Sequence, residues 1–173
     1  MKIALSHAHS QWFQGASGER NGTHLSEWPL SKGVNIILED RLKQNGFEVA
    51  VVDPSESNYR KHLRRTIDEV NAFGADLAVE CHFNGSAQPS ANGFEVLYFP
   101  NSERGRSLAL GVFDEMRRQI PLTPRGLVPK DNIAFLKHTK CASIIVEPCF
   151  LTNKEDFEFV QRIDAKELIA SSI

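Results

Sequence analysis

Short apolar runs alternate with stretches of helical apolar spacing along almost the whole chain, and this alternation restricts the fold more than any other feature. The runs predict five strands: KIALS (2–6), FEVAVVD (47–53), ADLAVECHFN (75–84), GFEVLYFP (93–100) and ASIIVE (142–147). Helices are predicted to begin near Pro29, Tyr59 and Ser102, and residues 153–173 also have a helical pattern. Because strands that alternate with helices favour right-handed crossovers, we expect an α/β fold with a mostly parallel, twisted sheet of five or six strands and helices on both faces.

Three segments lack these patterns and are predicted to be irregular. A loop rich in Gly, Ser, Asn and Thr follows the first strand through about residue 26, a second loop covers 85–92, and a proline-rich linker covers 121–130. The third and fourth strands are joined only by the 85–92 loop, so a departure from the parallel pattern is expected at this pair.

The length and the charge of the chain limit its architecture and its partners. Its 173 residues suit one domain, and its net charge of −2 lacks the basic excess typical of nucleic-acid-binding proteins. No apolar run is long enough for a membrane span, and the apolar part of MKIALSHAHS is too short for a signal peptide. We therefore expect a monomer that is made in the cytoplasm and binds neither nucleic acid nor membrane. Cys81, Cys141 and Cys149 lack CxxC spacing and are expected to be free thiols or small apolar residues.

Metal-competent side chains stand at the ends of three predicted strands. His9 follows the first strand, His82 lies late in the third, and Glu147 closes the fifth. Ligands of open α/β sheets gather at the carboxyl ends of the strands, so these side chains are expected to converge. Imidazoles and carboxylates are typical ligands of a hydrolytic zinc site, which keeps one position open for water. Each histidine, taken singly, is equally compatible with a hydrogen-bonded or exposed side chain, so the residues alone leave a metal site open.

Five sequence blocks together resemble a known family. They occur in the order MKIALSHAHS, HLSEWPLSKGVNIILEDRLKQNGFEV, GADLAVECHFNGS, NGFEVLYFP and ASIIVEPCFLTNKED, and they span nearly the whole chain. They resemble the zinc-dependent N-acetylmuramoyl-L-alanine amidases with an AmiC-type catalytic domain, and are most similar to the catalytic domains of phage endolysins. The H-x-N that follows an apolar strand is modestly specific, whereas the ordered set is strongly so.

The resemblance implies a role for four residues. It implies that His9, Glu27 and His82 bind one Zn²⁺ per chain and that Glu147 is catalytic, transferring a proton and not ligating the metal. The implied reaction is hydrolysis of the peptidoglycan amide between N-acetylmuramic acid and L-alanine. Residues 1–173 are then a single zinc amidase catalytic domain without a separate wall-binding domain. The implied place of action is the cell wall, after membrane breach in phage lysis or in a mother cell.

Several alternatives stay open at this point. His7 is a competing ligand, a group that orients a ligand, or a solvent-facing side chain, and Glu80 either orients a ligand through a hydrogen bond or lies at the rim of the site. The loops 10–26, 85–92 and 121–130 are candidate walls of a substrate groove, where Arg125 or Lys130 either pairs with a stem-peptide carboxylate or is a solvated charge. The alternative functions are a catalytically silent wall-binding or regulatory module and a zinc hydrolase of another peptide amide.

Overall fold

Strands and helices alternate in the computed structural model as the apolar pattern predicts, and the structure describes residues 1–173. The elements in chain order are β1 (Lys2–His7), β2 (Ser17–Arg20), β3 (Thr23–Ser26), α1 (Glu27–Gln44), β4 (Glu48–Val52), α2 (Tyr59–Phe73), β5 (Leu77–Cys81), β6 (Phe94–Tyr98), α3 (Glu103–Gln119), β7 (Pro124–Pro129), α4 (Ala134–His138), β8 (Ala142–Glu147), α5 (Lys154–Val160) and α6 (Ala165–Ser171). None of the helices combines the length and the apolar character needed to cross a bilayer.

Six strands form the main sheet in the order β4-β1-β5-β8-β6-β7. All neighbouring pairs are parallel except β6 and β8, which are antiparallel. The expected departure from the parallel pattern therefore occurs at β6, which does not pair with β5 but lies on the far side of β8. The predicted mostly parallel α/β sheet is confirmed.

Each face of the sheet packs against its own group of helices, because successive strand residues point to opposite faces. One apolar core joins the sheet to α1, α3 and α6, and includes Leu5, Val79, Val96, Ile144, Val34, Met116 and Ile169. The other joins the sheet to α2 and α4, and includes Ala4, Ala78, Leu97, Ile145, Val70 and Phe135. Cys81 and Cys149 are buried in the first core, and all three cysteines are free thiols.

Local signals fix several helix ends where the sequence predicts them. Gly74 ends α2 with a left-handed φ of 69°, and the Ser102 hydroxyl accepts a hydrogen bond from the Gly105 amide at 3.0 Å at the start of α3. Helix α1 begins at Glu27, two residues before Pro29. Proline is tolerated there because the first turn of a helix does not need its missing N–H.

Two segments predicted to be irregular contain strands, so these predictions were wrong. The loop that reaches residue 26 holds the β2–β3 hairpin, whose turn residues Asn21 and Gly22 have φ values of 51° and 77°. Its strands, SGER and THLS, lack the apolar alternation that reveals a strand. The 121–130 linker holds β7, whose prolines are compatible with a strand at the sheet edge. The helical end at 153–173 consists of two helices, α5 and α6.

Candidate active site

The three residues predicted to bind a metal lie together at the carboxyl edge of the sheet. His9 follows β1, Glu27 opens α1 and His82 follows β5. One ligand atom from each residue lies within 4.8 Å of the others. The Glu27 carboxylate lies between the two rings, with Oε1 2.6 Å from His82 Nδ1 and Oε2 3.1 Å from His9 Nε2. The structure thus brings all three side chains to one point.

Glu27 is the best-anchored member of this cluster. Its side chain is buried, and its two oxygens also accept hydrogen bonds from the backbone amides of Ala16 at 2.8 Å and Phe83 at 3.1 Å. Burial raises the pKa of Glu27, but the hydrogen bonds with His82 and His9 outweigh it and bring the pKa down to about 2. Glu27 is therefore an ionised carboxylate that fixes the position of both imidazoles.

The chain turns sharply between His7 and His9. Residues two apart share one side of a regular strand, but β1 ends at His7 and His9 has a φ of 64°, so the two rings point in different directions. This left-handed turn, unusual for a residue other than glycine, directs the His9 ring towards Glu27. The loop then passes over the cluster at Gly15, where a Cβ would overlap both the Glu27 carboxylate and the His9 ring.

His7 is turned away from the cluster. Its Nδ1 lies 2.8 Å from the side-chain amide of Asn35, and its Nε2 lies 3.8 Å from Asp53. The side chain is only 4% exposed, so the solvent-facing alternative was wrong. Burial lowers the pKa of His7, although the charge of Asp53 opposes this effect. Because both ring nitrogens already face other partners, the geometry does not favour His7 as a competing ligand.

Glu80 supports His82 from the other side of the ring. Its Oε2 lies 3.0 Å from His82 Nε2, and its Oε1 accepts a hydrogen bond from the Ser6 hydroxyl at 2.9 Å. Both oxygens are thus held inside the protein, which favours the orienting role for Glu80 over that of a rim carboxylate. Burial lowers the pKa of His82, but hydrogen bonds with Glu27 and Glu80 outweigh it and raise the pKa well above its usual value.

The donor set of the cluster suits a zinc ion. Two imidazoles and one carboxylate are a known catalytic zinc set, and bond lengths of ~2.0–2.2 Å place tetrahedral ligand atoms roughly 3.3 Å apart. The ligand atoms of the three residues lie within 4.8 Å of one another, and the two contacts of Glu27 are 2.6 and 3.1 Å, so side-chain adjustments that bring the three residues closer to this spacing would accommodate the ion. The carboxylates of Glu27 and Glu80 lie at the two ring nitrogens of His82 and supply negative charge that would favour a cation here.

Glu147 stands beside the cluster with a free oxygen. It closes β8, and its Oε2 is buried without a hydrogen-bond partner. Burial raises the pKa of Glu147 to about 8; the charge of His82 opposes this shift, and the charges of Glu27 and Glu95 add to it. With Glu80 and His82, Glu147 forms the polar end of a groove of about 410 Å³ between the sheet and the helices α2 and α4, lined further by Tyr59, Leu63, Leu97, Asn132, Ile133, Ala134, Phe135 and Ile145.

Sequence reasoning missed several residues around this groove. Glu95 lies directly opposite Glu147 in the β6–β8 pair and accepts a hydrogen bond from the Asn84 side chain at 3.1 Å. Phe13 packs edge-on against His9 and Tyr59, with ring centroids 6.4 and 5.6 Å apart. The register of β6 and the fold of the loop before β2 create these contacts, and neither is visible in local sequence patterns.

Comparison with known proteins agrees with this geometry. A sequence model of the family described as N-acetylmuramoyl-L-alanine amidase matches residues 3–173. The chain belongs to this amidase family. The amidase resemblance inferred from the five sequence blocks is therefore confirmed, and the cluster of His9, Glu27 and His82 lies within the matched region.

Relatives and solved structures of the amidase family cover almost all of this chain. An uncharacterized 38.4 kDa protein of Clostridium perfringens is 27% identical over 173 residues, which cover 98% of this chain and 48% of that protein. The chain thus spans about half the length of this relative. The CwlD amidase from Clostridioides difficile, solved in complex with the GerS lipoprotein, is 21% identical with a TM-score of 0.90 and covers 99% and 93% of the two chains. The catalytic domain of the CD27L endolysin, which targets Clostridia Difficile, is 25% identical with a TM-score of 0.83 and the same coverage.

Proposed function

We propose that this domain hydrolyses the peptidoglycan amide between N-acetylmuramic acid and the L-alanine of the stem peptide. The single observation that carries the proposal is the convergence of His9, Glu27 and His82 beside the unpartnered Oε2 of Glu147, in a chain of the amidase family. His9, Glu27 and His82 would hold one Zn²⁺, which when bound lowers the pKa of water and polarises a carbonyl.

Each residue of the site has a role that follows from its contacts. Burial raises the pKa of Glu147 to about 8, and a cation held by His9, Glu27 and His82 would lower it again and so favour the ionised carboxylate. In that form Glu147 accepts the proton of the attacking water on its free Oε2 and passes it to the leaving amine of L-alanine, as a general base and then a general acid. Glu80 holds the His82 ring in place, and the Ser6 hydroxyl fixes Glu80. The apolar wall of the groove limits water around the reacting amide.

The biological setting is part of the same proposal. The likeness to the CD27L catalytic domain supports an endolysin catalytic domain, which would act on the wall after the membrane is breached. A mother-cell enzyme is the alternative setting. We expect the domain to act as a monomer, which sedimentation analysis of the purified chain would test. Turbidity loss of intact cells after adding the protein from outside would test the lytic activity itself.

Digestion of purified peptidoglycan, followed by mass spectrometry of the new ends, tests the reaction. We expect free L-alanine amino termini, which disappear after chelation and return when zinc is added. Cleavage of plain peptides but not of muropeptides would assign the chain to another amide substrate. Zinc content and wall binding without any product would indicate a catalytically silent module.

Substitution of Glu147 separates metal binding from proton transfer. Glu147→Gln keeps the size of the side chain but cannot accept the proton, so we expect turnover to fall by ~10²–10⁴-fold while zinc content is unchanged. The matched control is Glu158→Gln, an exposed position on α5, which should leave both values unchanged. Near-full activity of Glu147→Gln would refute the proposed proton transfer.

A further inference from the structure

Arg125 lies at the same edge of the sheet as the candidate active site. Strands β6 and β7 run antiparallel to β8, so they begin at the edge where β1, β5 and β8 end. Arg125 is the second residue of β7 and therefore lies at this edge. Lys130 follows the other end of β7, where its amide donates to the Tyr98 carbonyl, so it lies away from the active-site edge.

The guanidinium of Arg125 is held in one orientation. Its Nε donates to Glu95 Oε2 at 2.7 Å, and its Nη1 donates to the Asn92 carbonyl at 3.3 Å. The guanidinium also stacks over the Phe150 ring, with its carbon 4.8 Å from the ring centroid. Nη2 makes no hydrogen bond within the chain, and the side chain is 38% exposed. A fixed guanidinium with free N–H groups thus faces solvent beside the groove.

Arg125 is close enough to Glu147 to contact a peptide bound there. Glu95 joins the two residues: it pairs with Arg125, and it lies opposite Glu147 in the β6–β8 ladder, where paired Cβ atoms are about 5 Å apart. The strand β7 lies two strands from β8, roughly 10 Å away at a strand spacing of ~4.8 Å, and the Arg125 side chain reaches back from β7 to Glu95. An extended peptide advances ~3.3–3.6 Å per residue, so the second stem-peptide residue lies about 7 Å from the cleaved amide, between Glu147 and the Arg125 guanidinium.

We propose that Arg125 binds the α-carboxylate of the second stem-peptide residue and makes the enzyme prefer an acidic residue there over its amidated form. This inference rests on the amidase function proposed above. The second residue of peptidoglycan stems is a D-glutamate whose α-carboxyl group is either free or converted to a carboxamide. A guanidinium presents a planar fork of N–H donors that matches a carboxylate, whereas a carboxamide offers one neutral oxygen and its own donors.

A pair of substrates tests this preference directly. The probes are two muramoyl tripeptides that are identical except for an α-carboxylate or an α-carboxamide on the second residue. We expect the wild-type enzyme to have a KM about tenfold lower for the carboxylate, since a charge-assisted hydrogen bond at a half-exposed site is worth about this factor. Arg125→Gln should abolish the difference by raising the KM for the carboxylate alone. Arg125→Lys should keep part of the preference because it keeps the charge.

The matched control is Arg118→Gln, which removes an exposed arginine that pairs with Glu115 on α3. It should leave both KM values unchanged. The ratio between substrates, measured on one preparation of each variant, is independent of any loss of folded protein. If Arg125 had only a structural role, its replacement would change the KM by the same factor for both substrates. If the loss of Arg125 acted through the unpaired Glu95, the kcat would likewise change by the same factor for both.

The outcomes separate this inference from the proposed function. Cleavage of neither tripeptide by the wild-type enzyme would refute the amidase proposal, and the inference would fall with it. Cleavage of both with equal KM values, or an equal rise in both KM values for Arg125→Gln, would overturn the role of Arg125 and leave the amidase proposal intact.

Discussion

Replacing Asp156 should destabilise the segments that precede β6 and follow β8. This buried carboxylate on α5 accepts hydrogen bonds from the amides of Gly93 at 2.7 Å and Phe150 at 2.8 Å, and so joins the segments before β6 and after β8. Asp156→Ala leaves both amides buried without a hydrogen-bond partner, which destabilises the fold by ~1–3 kcal/mol for each amide. The substitution also removes the cost of burying the carboxylate, which partly offsets this loss. We expect a net loss of about 3 kcal/mol, which lowers Tm by about 6–12 °C for a domain of this size.

Denaturant unfolding of the metal-free protein at neutral pH would measure this loss. Asp156→Asn keeps an oxygen that can accept from both amides, so it should lose only about 1 kcal/mol. Glu158→Ala, on the exposed side of the same helix, should change the free energy of unfolding by less than ~0.5 kcal/mol. A free energy of unfolding of Asp156→Ala within about 1 kcal/mol of the wild-type value would refute this role of Asp156.

The same carboxyl group predicts a pH dependence of stability. Burial raises the pKa of Asp156 above its ordinary value of 3.8, although the hydrogen bonds from Phe150 and Gly93 oppose this shift. Between 3.8 and the raised pKa, the folded state therefore holds more protons than the unfolded state, so the contribution of Asp156 to stability falls as pH rises through this window. Above this window, the contribution of Asp156 to the free energy of unfolding does not change with pH. Asparagine does not titrate, so Asp156→Asn should remove the fall in stability that the wild type shows in this window.

Two further predictions concern the metal cluster. His82→Ala removes a ligand, so we expect zinc content after dialysis and amidase activity to be lost together while the fold, followed by circular dichroism, is kept. Gly15→Ala places a methyl group against the Glu27 carboxylate, so zinc affinity should fall by about 10–100-fold. Gly22→Ala is its control, because Gly22 has a similar φ of 77° but no atom near its Cβ position, and it should lose stability without losing zinc affinity.

The strands of the central sheet could be predicted because burial on both faces makes them continuous apolar runs. β8, with the sequence ASIIVE, is such a run, and it was predicted with its observed bounds. The hairpin β2–β3 lies outside the main sheet and β7 lies at its edge, so neither needs an apolar face of this kind. The Asn21–Gly22 pair was the only local signal of the hairpin. Such a pair predicts a hairpin when alternating apolar residues flank it, and here the flanking residues are mostly polar.

The candidate site was predictable only in part, and for similar physical reasons. His82 and Glu147 end apolar strands, so the rule that strand ends converge was enough to bring them together. Glu27 opens a helix, and only the family resemblance identified it. Glu80 was recognised as a neighbour of His82 because residues two apart share a strand face. Glu95 was not recognised, because its position depends on the direction and register of β6.

The direction of β6 explains why Glu95 and Arg125 lie near Glu147. If β6 ran parallel to β8, the end of β6 near Tyr98 would lie at the active-site edge. Because β6 is antiparallel, its start lies there instead and places Glu95 opposite Glu147. β7 follows β6 in parallel, so its start places Arg125 against Glu95. The one departure from the parallel pattern thus places a fixed cation beside Glu95, at the edge of the sheet where β8 ends.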